Sequence, residues 1–423
     1  MNGNSLSERL EIEKFIVLKK TYFDVKPFNI ITGDIASGKS LLMKLVEFFG
    51  TTLTDLFVLP YRDFLKNLSY DKFCKNLAKE LGDRFNLNDD ESFEVCYKCQ
   101  FKENVLDIKA FREEGSRDIS VESNFLKNEL QEWENHLKEL EKKRPENSDN
   151  ITDNVMNNID AQMEVKFALY EQLSHKFDRC YPVSSTFVPA SRAALAFSKR
   201  KRSSSKKEEY YDYYMNEFNN LAEYLKRIKK SRYEKEIKEI LKAEMKINGD
   251  IHFVYKDANG VTIREVEIAN AASGQQEVAY ILLLLSKLFD FKYRYGEQHY
   301  IFIEEPEAHL FPREQKRVLE LIGNVFSEYY KSKSSPIKIF ITTHSPYLLN
   351  VANNLLLNGK ASKKIEKLPT LDCDKISAVF IDDEGSINNI LDDHNMISPN
   401  EIEDISRDIF DEYNFLYNLK NKL

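Results

Sequence analysis

Apolar and polar positions change period several times along this chain, and each change marks an element. The run Phe28-Asn29-Ile30-Ile31-Thr32 is almost continuously apolar and predicts a buried strand, and Leu41-Leu42-Met43-Lys44-Leu45-Val46 is amphipathic and predicts a helix. Residues 8–50 thus read as a strand pair, a turn and a helix, and 51–90 as helix-rich. Phe93, Val95, Tyr97, Cys99 and Phe101 alternate with other residues, which predicts a strand or hairpin over 92–112. From Val121 the spacing becomes helical. Leu126, Leu130, Trp133, Leu137 and Leu140 form one heptad seam, and Met156, Ile159, Met163, Lys166, Tyr170, Leu173 and Phe177 form a second. The turn formers Arg144–Asn150 lie between them. This predicts an antiparallel helical hairpin about 35 Å long at ~1.5 Å per residue. Two ordinary amphipathic helices of a globular lobe satisfy the same pattern.

Tyr181–Ala190 then reads as a buried strand and Tyr213 to about Lys246 as one long charged helix. A hairpin follows, Ile251–Tyr255 against Val261–Ile263, turned at Ala258-Asn259-Gly260. Val278–Leu288 predicts an apolar helix. Tyr300–Ile303 and Ile337–Ile341 predict two strands. The pattern does not repeat.

Chemistry concentrates where these elements end. Residues 33–40 read GDIASGKS, a full match to G-x-x-x-x-G-K-[ST], set between the Phe28–Thr32 strand and the next helix. Strand, glycine turn and helix present backbone N–H groups and a helix N-terminus to a polyphosphate. Gly33, Asp34, Ile35, Ala36, Ser37 and Gly38 form the loop. Lys39 reaches the β- and γ-phosphates and Ser40 places its hydroxyl on Mg²⁺.

Three later segments complete a site. Asn270-Ala271-Ala272-Ser273-Gly274-Gln275-Gln276-Glu277 opens the apolar helix, so Ser273, Gly274 and Gln275 offer a hydroxyl, N–H groups and an amide to an anion. Tyr300-Ile301-Phe302-Ile303-Glu304-Glu305-Pro306-Glu307 is a buried strand ending in carboxylates at the edge where ligands of parallel sheets bind. Neighbouring strand residues point to opposite sides. Glu304 therefore suits Mg²⁺ through water, and Glu305 suits orientation or deprotonation of an attacking water. Ile337-Lys338-Ile339-Phe340-Ile341-Thr342-Thr343-His344 ends another strand in a histidine; a lone histidine there is more often structural, but a strand lying beside the carboxylate strand would aim it at the γ-phosphate.

Composition narrows the partners. The chain has 423 residues, room for two to three domains, with a net charge of −8. That balance leaves nucleic-acid binding to a local patch. The basic run Lys199, Arg200, Lys201, Arg202, Lys206 and Lys207 is either a solvated loop or an anion-binding one. Five scattered cysteines fit a reducing compartment, and Cys96/Cys99 lack the second pair of a zinc site. No apolar run approaches a membrane span and the N-terminus lacks a signal-peptide core, so a cytoplasmic location is expected.

GDIASGKS, NAASGQQE, YIFIEEPEAHL and ITTHSPYLL, in this order, resemble the Walker A, signature, Walker B with D-loop, and switch histidine of ABC-type ATPases of the OLD-like and SMC-like group. The resemblance covers about residues 8–50 and 260–350. It implies an α/β fold, an ABC/SMC-like ATPase head of mixed sheet with flanking helices and an inserted antiparallel helical hairpin. The implied division is 1–115 and 251–423 for the two parts of the ATPase lobe, 116–180 for the hairpin, and 181–250 for a basic loop and helical connector. It implies ATP and Mg²⁺ as ligands, with Glu305 and His344 catalytic and Ser40 and Glu304 at the metal. It also implies a head-to-tail homodimer in which Ser273 and Gly274 complete the partner's nucleotide site. Glu304 stands where an aspartate is usual, as is common in the OLD-like branch. Arg192, after Pro189-Ala190-Ser191, resembles a motif near the nucleotide. Gln100 is a candidate Q-loop residue.

Full OLD-type enzymes carry a TOPRIM nuclease after the switch histidine. The residues after His344 are few for that fold, and Asp382-Asp383-Glu384 lack the separate upstream glutamate such a metal site needs, so a nuclease on a separate chain is expected. In this the chain resembles the ATPase subunits of PARIS-type phage-defence systems, with the Septu type a near neighbour. That resemblance implies a propeller-like homo-oligomer, a separate nuclease effector and an acidic, DNA-mimicking phage trigger. An SMC-like DNA-repair or DNA-clamp ATPase and a scaffold that holds ATP without turnover are the competing readings.

Overall fold

The computed structural model describes residues 7–58, 68–88, 91–142, 166–177, 183–196, 219–227, 232–288, 298–332, 337–398 and 401–420. The described strands form three sheets. The first is antiparallel, in the order β2 (Leu18–Asp24), β1 (Ser7–Phe15), β4 (Phe93–Phe101), β5 (Asn104–Arg112) and β6 (Ser120–Glu122). The second, also antiparallel, orders β10 (Thr262–Glu267), β9 (Asp250–Lys256) and β8 (Glu244–Asn248). The third orders β14 (Ile387–Asn389), β13 (Ile376–Ile381), β3 (Phe28–Gly33), β12 (Ile337–Thr342), β11 (Gln298–Glu304) and β7 (Val183–Val188). Its strands β13, β3, β12, β11 and β7 run parallel, and β14 is antiparallel to β13.

The hydropathy pattern explains the layering. Every residue of β3, β11 and β12 is buried, as continuous apolar runs require when both faces are covered. Parity sorts their side chains. Tyr300 and Phe302 enter one core with the first sheet and helix α1 (Lys39–Val58). Ile301 and Ile303 enter a second core with helices α5 (Ser273–Lys287), α6 (Pro312–Ser332) and α7 (Pro346–Lys360). Strand β1, by contrast, alternates between buried and exposed positions, as a strand with one solvated face does. The chain is thus a mixed α/β structure in which helices and an antiparallel sheet flank a mainly parallel one.

The expected hairpin of strands over 251–263 is present as β9 and β10. The single long helix over Tyr213–Lys246 is not. Residues 219–225 are helical, helix α4 spans Glu234–Leu241, and Glu244–Asn248 is strand β8. Tyr233 (φ 62°) and Lys242 (φ 56°) bracket α4 in the left-handed region, which breaks a continuous helix on both sides. Pairing with β9 then overrides the helical propensity of Glu-Met-Lys.

Of the two heptad seams, helix α3 (Asn124–Lys142) and the helical residues 166–176 are described. Leu126, Leu130, Trp133, Leu169, Leu173 and Phe177 pack in the first core, and Glu129 on α3 takes hydrogen bonds from Gln172 and Lys176. Met156, Ile159 and Met163, and the basic run Lys199–Lys207, lie outside the described residues. Cys96 and Cys99 sit three apart on β4 and so face opposite ways; Cys99 is in the core and Cys96 half-buried. Among the described residues no group of three His, Cys, Asp or Glu is placed to hold a metal. No described helix is long and apolar enough to cross a membrane.

Candidate functional site

The phosphate loop lies between the end of β3 and the start of α1. Three residues carry positive φ, Gly33 (149°), Ala36 (63°) and Gly38 (107°), and curl the chain over the helix N-terminus. At Gly33 a Cβ would stand 2.2 Å from the carbonyl oxygen of Ile381 on β13, so only glycine fits. Asp34, Ile35 and Ala36 are exposed, Ser37 and Lys39 are buried, and Ser40 faces solvent. Lys39 Nζ donates to the carbonyls of Gly33 (3.0 Å) and Asp34 (2.5 Å). Burial holds its pKa below the usual lysine range, against the pull of Glu305, Asp34 and Glu307.

The carboxylates arrive on β11. Strand β12 lies between β11 and β3, with Glu304 in register with Thr342, so the carboxylates and the histidine come to one edge. Glu304 is buried. Its Oε2 accepts from the Ala190 amide (2.8 Å), and its Oε1 has no partner. Glu305 has φ 42°, and its N–H is held by the Thr342 carbonyl at 3.1 Å. Its side chain is 3.8 Å from His344 Nε2, and both side chains are part-exposed. Burial, then the Lys39 charge, pushes the His344 pKa below the usual histidine range, so the imidazole is neutral at pH 7. Glu307 is buried, accepts from Thr343 Oγ1 (2.6 Å) and the His344 amide (2.8 Å), and burial raises its pKa.

Arg192 is the structural centre of this edge. It follows β7 in the short 3₁₀ turn Ala190–Ala196 and is fully buried. Its guanidinium donates to the carbonyls of Glu304 (2.7 Å), Glu305 (2.8 Å), Pro189 (3.1 Å) and Glu277 (2.8 Å), and pairs with the Glu277 carboxylate at 3.3 Å. A planar fork of five donors suits this set. Arg192 therefore ties the carboxylate strand to the first turns of α5. The motif Pro189-Ala190-Ser191-Arg192 flagged this residue, but only the fold shows what it holds.

At the head of α5, Ser273 is exposed and Gly274 packs on the loop after β11, where a Cβ would lie 2.5 Å from the His309 carbonyl oxygen. Gln275 is turned inward: its amide donates to the Leu241 carbonyl (2.7 Å) and meets the Tyr255 hydroxyl (3.0 Å). Gln100 is exposed on β4, with its amide 3.3 Å from the Lys102 carbonyl of its own hairpin. The structure thus brings Lys39, Glu304, Glu305 and His344 together. Ser273 is presented to solvent, and Gln100 is not joined to the cluster.

These residues fit a magnesium-bound polyphosphate. Ser37 Oγ and Glu304 Oε1 are buried polar atoms without partners, and each unmet group of this kind costs about 1–3 kcal/mol. A cation, a 20-residue helix N-terminus and hard oxygen donors at Ser40 and Glu304 are the chemistry such a ligand needs.

The AAA ATPase domain family matches residues 8–349, and the chain belongs to that family. No curated protein matches it. Among solved structures it is similar, at 9% identity, to the SMC head domain from Thermotoga maritima, over 88% of this chain and 94% of that one with a TM-score of 0.36. It is similar at 14% identity to the SmcHead bound to the C-winged helix domain of ScpA, over 90% and 97% with a TM-score of 0.38. It is similar at 13% identity to the recombination mediator protein RecF-ATPrS, over 92% and 99% with a TM-score of 0.33.

Proposed function

We propose that this AAA-family ATPase is an ATP-driven switch in which two copies pair head to tail around nucleotide and hydrolysis releases them. The carrying observation is the convergence of Lys39, Glu304, Glu305 and His344 at one sheet edge while Ser273 is offered to solvent. Ser273 and Gly274 of one copy would then complete the site built on Lys39 and Ser40 of the other. Ser40 and Glu304 would hold magnesium, which when bound would neutralise charge on the phosphates. Glu305 orients the attacking water and takes its proton, with its backbone fixed by Thr342 and Arg192. Neutral His344 offers one ring nitrogen as a donor to the terminal phosphate without adding charge. Arg192 passes the position of Glu304 and Glu305 to α5, and so to the partner's site.

The test is complementation. Lys39→Ala and Ser273→Arg each abolish turnover alone. Mixed, they form pairs with one intact composite site and recover a measurable fraction of wild-type turnover. Two inactive variants that stay inactive together, while still pairing in ATP, would sink the composite site.

At the finer level, the reading is a sensor subunit of a bacterial anti-phage system that holds and releases a separate TOPRIM-type nuclease on meeting an acidic phage protein. The motif order supports it, as do helix α3 and the helical residues 166–176 that lie in sequence between the two parts of the lobe (1–115 and 251–423). Affinity purification of Glu305→Gln from the native host tests it. A stoichiometric small nuclease supports it, and recovery of DNA alone, released by salt, favours an SMC-like clamp instead.

A further inference from the structure

Helix α8 (Glu401–Lys420) differs from the other described α-helices, because none of its described side chains is buried. Ile409, Phe410, Tyr413, Leu416 and Tyr417 are 54% to 62% exposed. At 100° per residue they fall on one stripe, with Arg407, Asp408, Asp411, Glu412 and a single exposed aromatic, Phe415, on the rest of the surface. Tyr413 stacks on Phe410 (6.5 Å) and on Tyr417 (6.1 Å). Contiguous apolar surface of this kind marks a contact.

We propose that this stripe is a two-fold interface on which α8 of a second copy of the chain lies antiparallel. Area is the first argument. Aromatic side chains bury about 150–250 Å² each. The exposed parts of Phe410, Tyr413 and Tyr417, with those of the smaller Ile409 and Leu416, amount to roughly 500 Å² per copy, or about 1,000 Å² for a pair, which reaches the ~1,000 Å² a specific interface needs. Charge order is the second. Glu401, Glu403, Asp404, Asp408, Asp411 and Glu412 crowd the first part of the helix around a single Arg407, while Lys420 is its last residue. Parallel pairing would set acid beside acid. Antiparallel pairing sets each acidic half beside the partner's lysine end and opposes the helix dipoles. The stripe is also self-complementary, since a crossing near residue 411 puts Ile409 beside the partner's Tyr413. Helices that lie on anionic membranes carry lysine and arginine on the polar face, and this one carries acids.

Sedimentation of the full-length chain tests the interface, with Lys39→Ala as background so that nucleotide-driven pairing is off. The expected result is a dimer at micromolar concentration. Adding Ile409→Asp and Tyr413→Asp should raise its dissociation constant at least ~100-fold, the equivalent of about 2.7 kcal/mol. Adding Lys420→Glu instead should raise it several-fold. A monomeric Lys39→Ala chain overturns the proposal, as does a dimer that survives the double substitution. Indifference to Lys420→Glu overturns the antiparallel order. Binding of the monomer to phosphatidylglycerol vesicles through the same two residues would assign the stripe to a membrane instead.

Discussion

Two buried polar clusters sit at opposite ends of the same parallel sheet, and they differ in how completely they are satisfied. Near the strand starts, Glu8 on β1 accepts from Tyr97 (2.8 Å), Tyr300 and Lys338, and Lys338 also lies over the Tyr300 ring at 5.2 Å. Neighbouring His299 is held by Ser184 (2.7 Å) and Thr186 (2.9 Å). Both oxygens of Glu8 and both ring nitrogens of His299 are used, and beside them only the side-chain oxygen of Gln298 is without a partner among the described residues. At the strand ends, Glu304 Oε1, Glu307 Oε2 and Ser37 Oγ lack hydrogen-bond partners. A closed network holds two sheets in register. An open one keeps unmet groups where a ligand can meet them, and that separates a structural cluster from a site.

The widest separation should come from single substitutions at each end. Glu305→Gln should lower ATP turnover on the order of 10³-fold, as loss of a catalytic base does, and leave the urea midpoint nearly unchanged. Glu8→Gln should do the reverse. It leaves Lys338 buried without its counter-charge and should cost about 3–5 kcal/mol of stability while ATP binding persists. Urea unfolding and a steady-state ATPase assay on both variants check the contrast, and a Glu8→Gln chain of wild-type stability would break it.

Acid sharpens the closed end. Burial lowers the His299 pKa from 6.5 to about 3. The unfolded chain therefore takes up a proton below about pH 6.5 that the folded chain refuses until about pH 3. Stability is full above pH 6.5 and falls by about 1.4 kcal/mol per unit as pH drops through that window. His299→Asn should flatten this limb between pH 6 and 4 in urea titrations.

A smaller effect is expected where the ends meet the helices. Arg192→Lys keeps the charge and loses the fork, so one or two of the four carbonyls go unmet. The expected cost is about 1–3 kcal/mol, with turnover reduced more than ATP affinity. The smallest effect concerns His344. Its lowered pKa keeps it neutral from pH 7 to 8, so turnover should be flat there and fall only below the usual histidine range.

Much of the open cluster was legible in the sequence because the chemistry sits at breaks in pattern. Apolar runs ending in Gly33, Glu304 and Thr342-Thr343-His344 announce strand ends, and strand ends of a parallel sheet meet at one edge. Arg192 was visible as a residue but not as a clamp, because three of its four carbonyl acceptors are 85 to 113 positions away. The closed cluster was illegible for the same reason: Lys338 interrupts the apolar run Ile337–Ile341, but its partner Glu8 is 330 positions away and nothing local names it. The expected long helix over Tyr213–Lys246 failed where pairing of β8 with β9 outweighed propensity.

The most direct test of the central claim follows nucleotide through the open cluster. Wild type, Lys39→Ala and Glu305→Gln would each be loaded with Mg-ATP, desalted, and assayed for what they retain. Intact ATP in stoichiometric amount is expected on Glu305→Gln, ADP or little nucleotide on wild type, and none on Lys39→Ala. Equal retention and equal turnover in wild type and Glu305→Gln would contradict it.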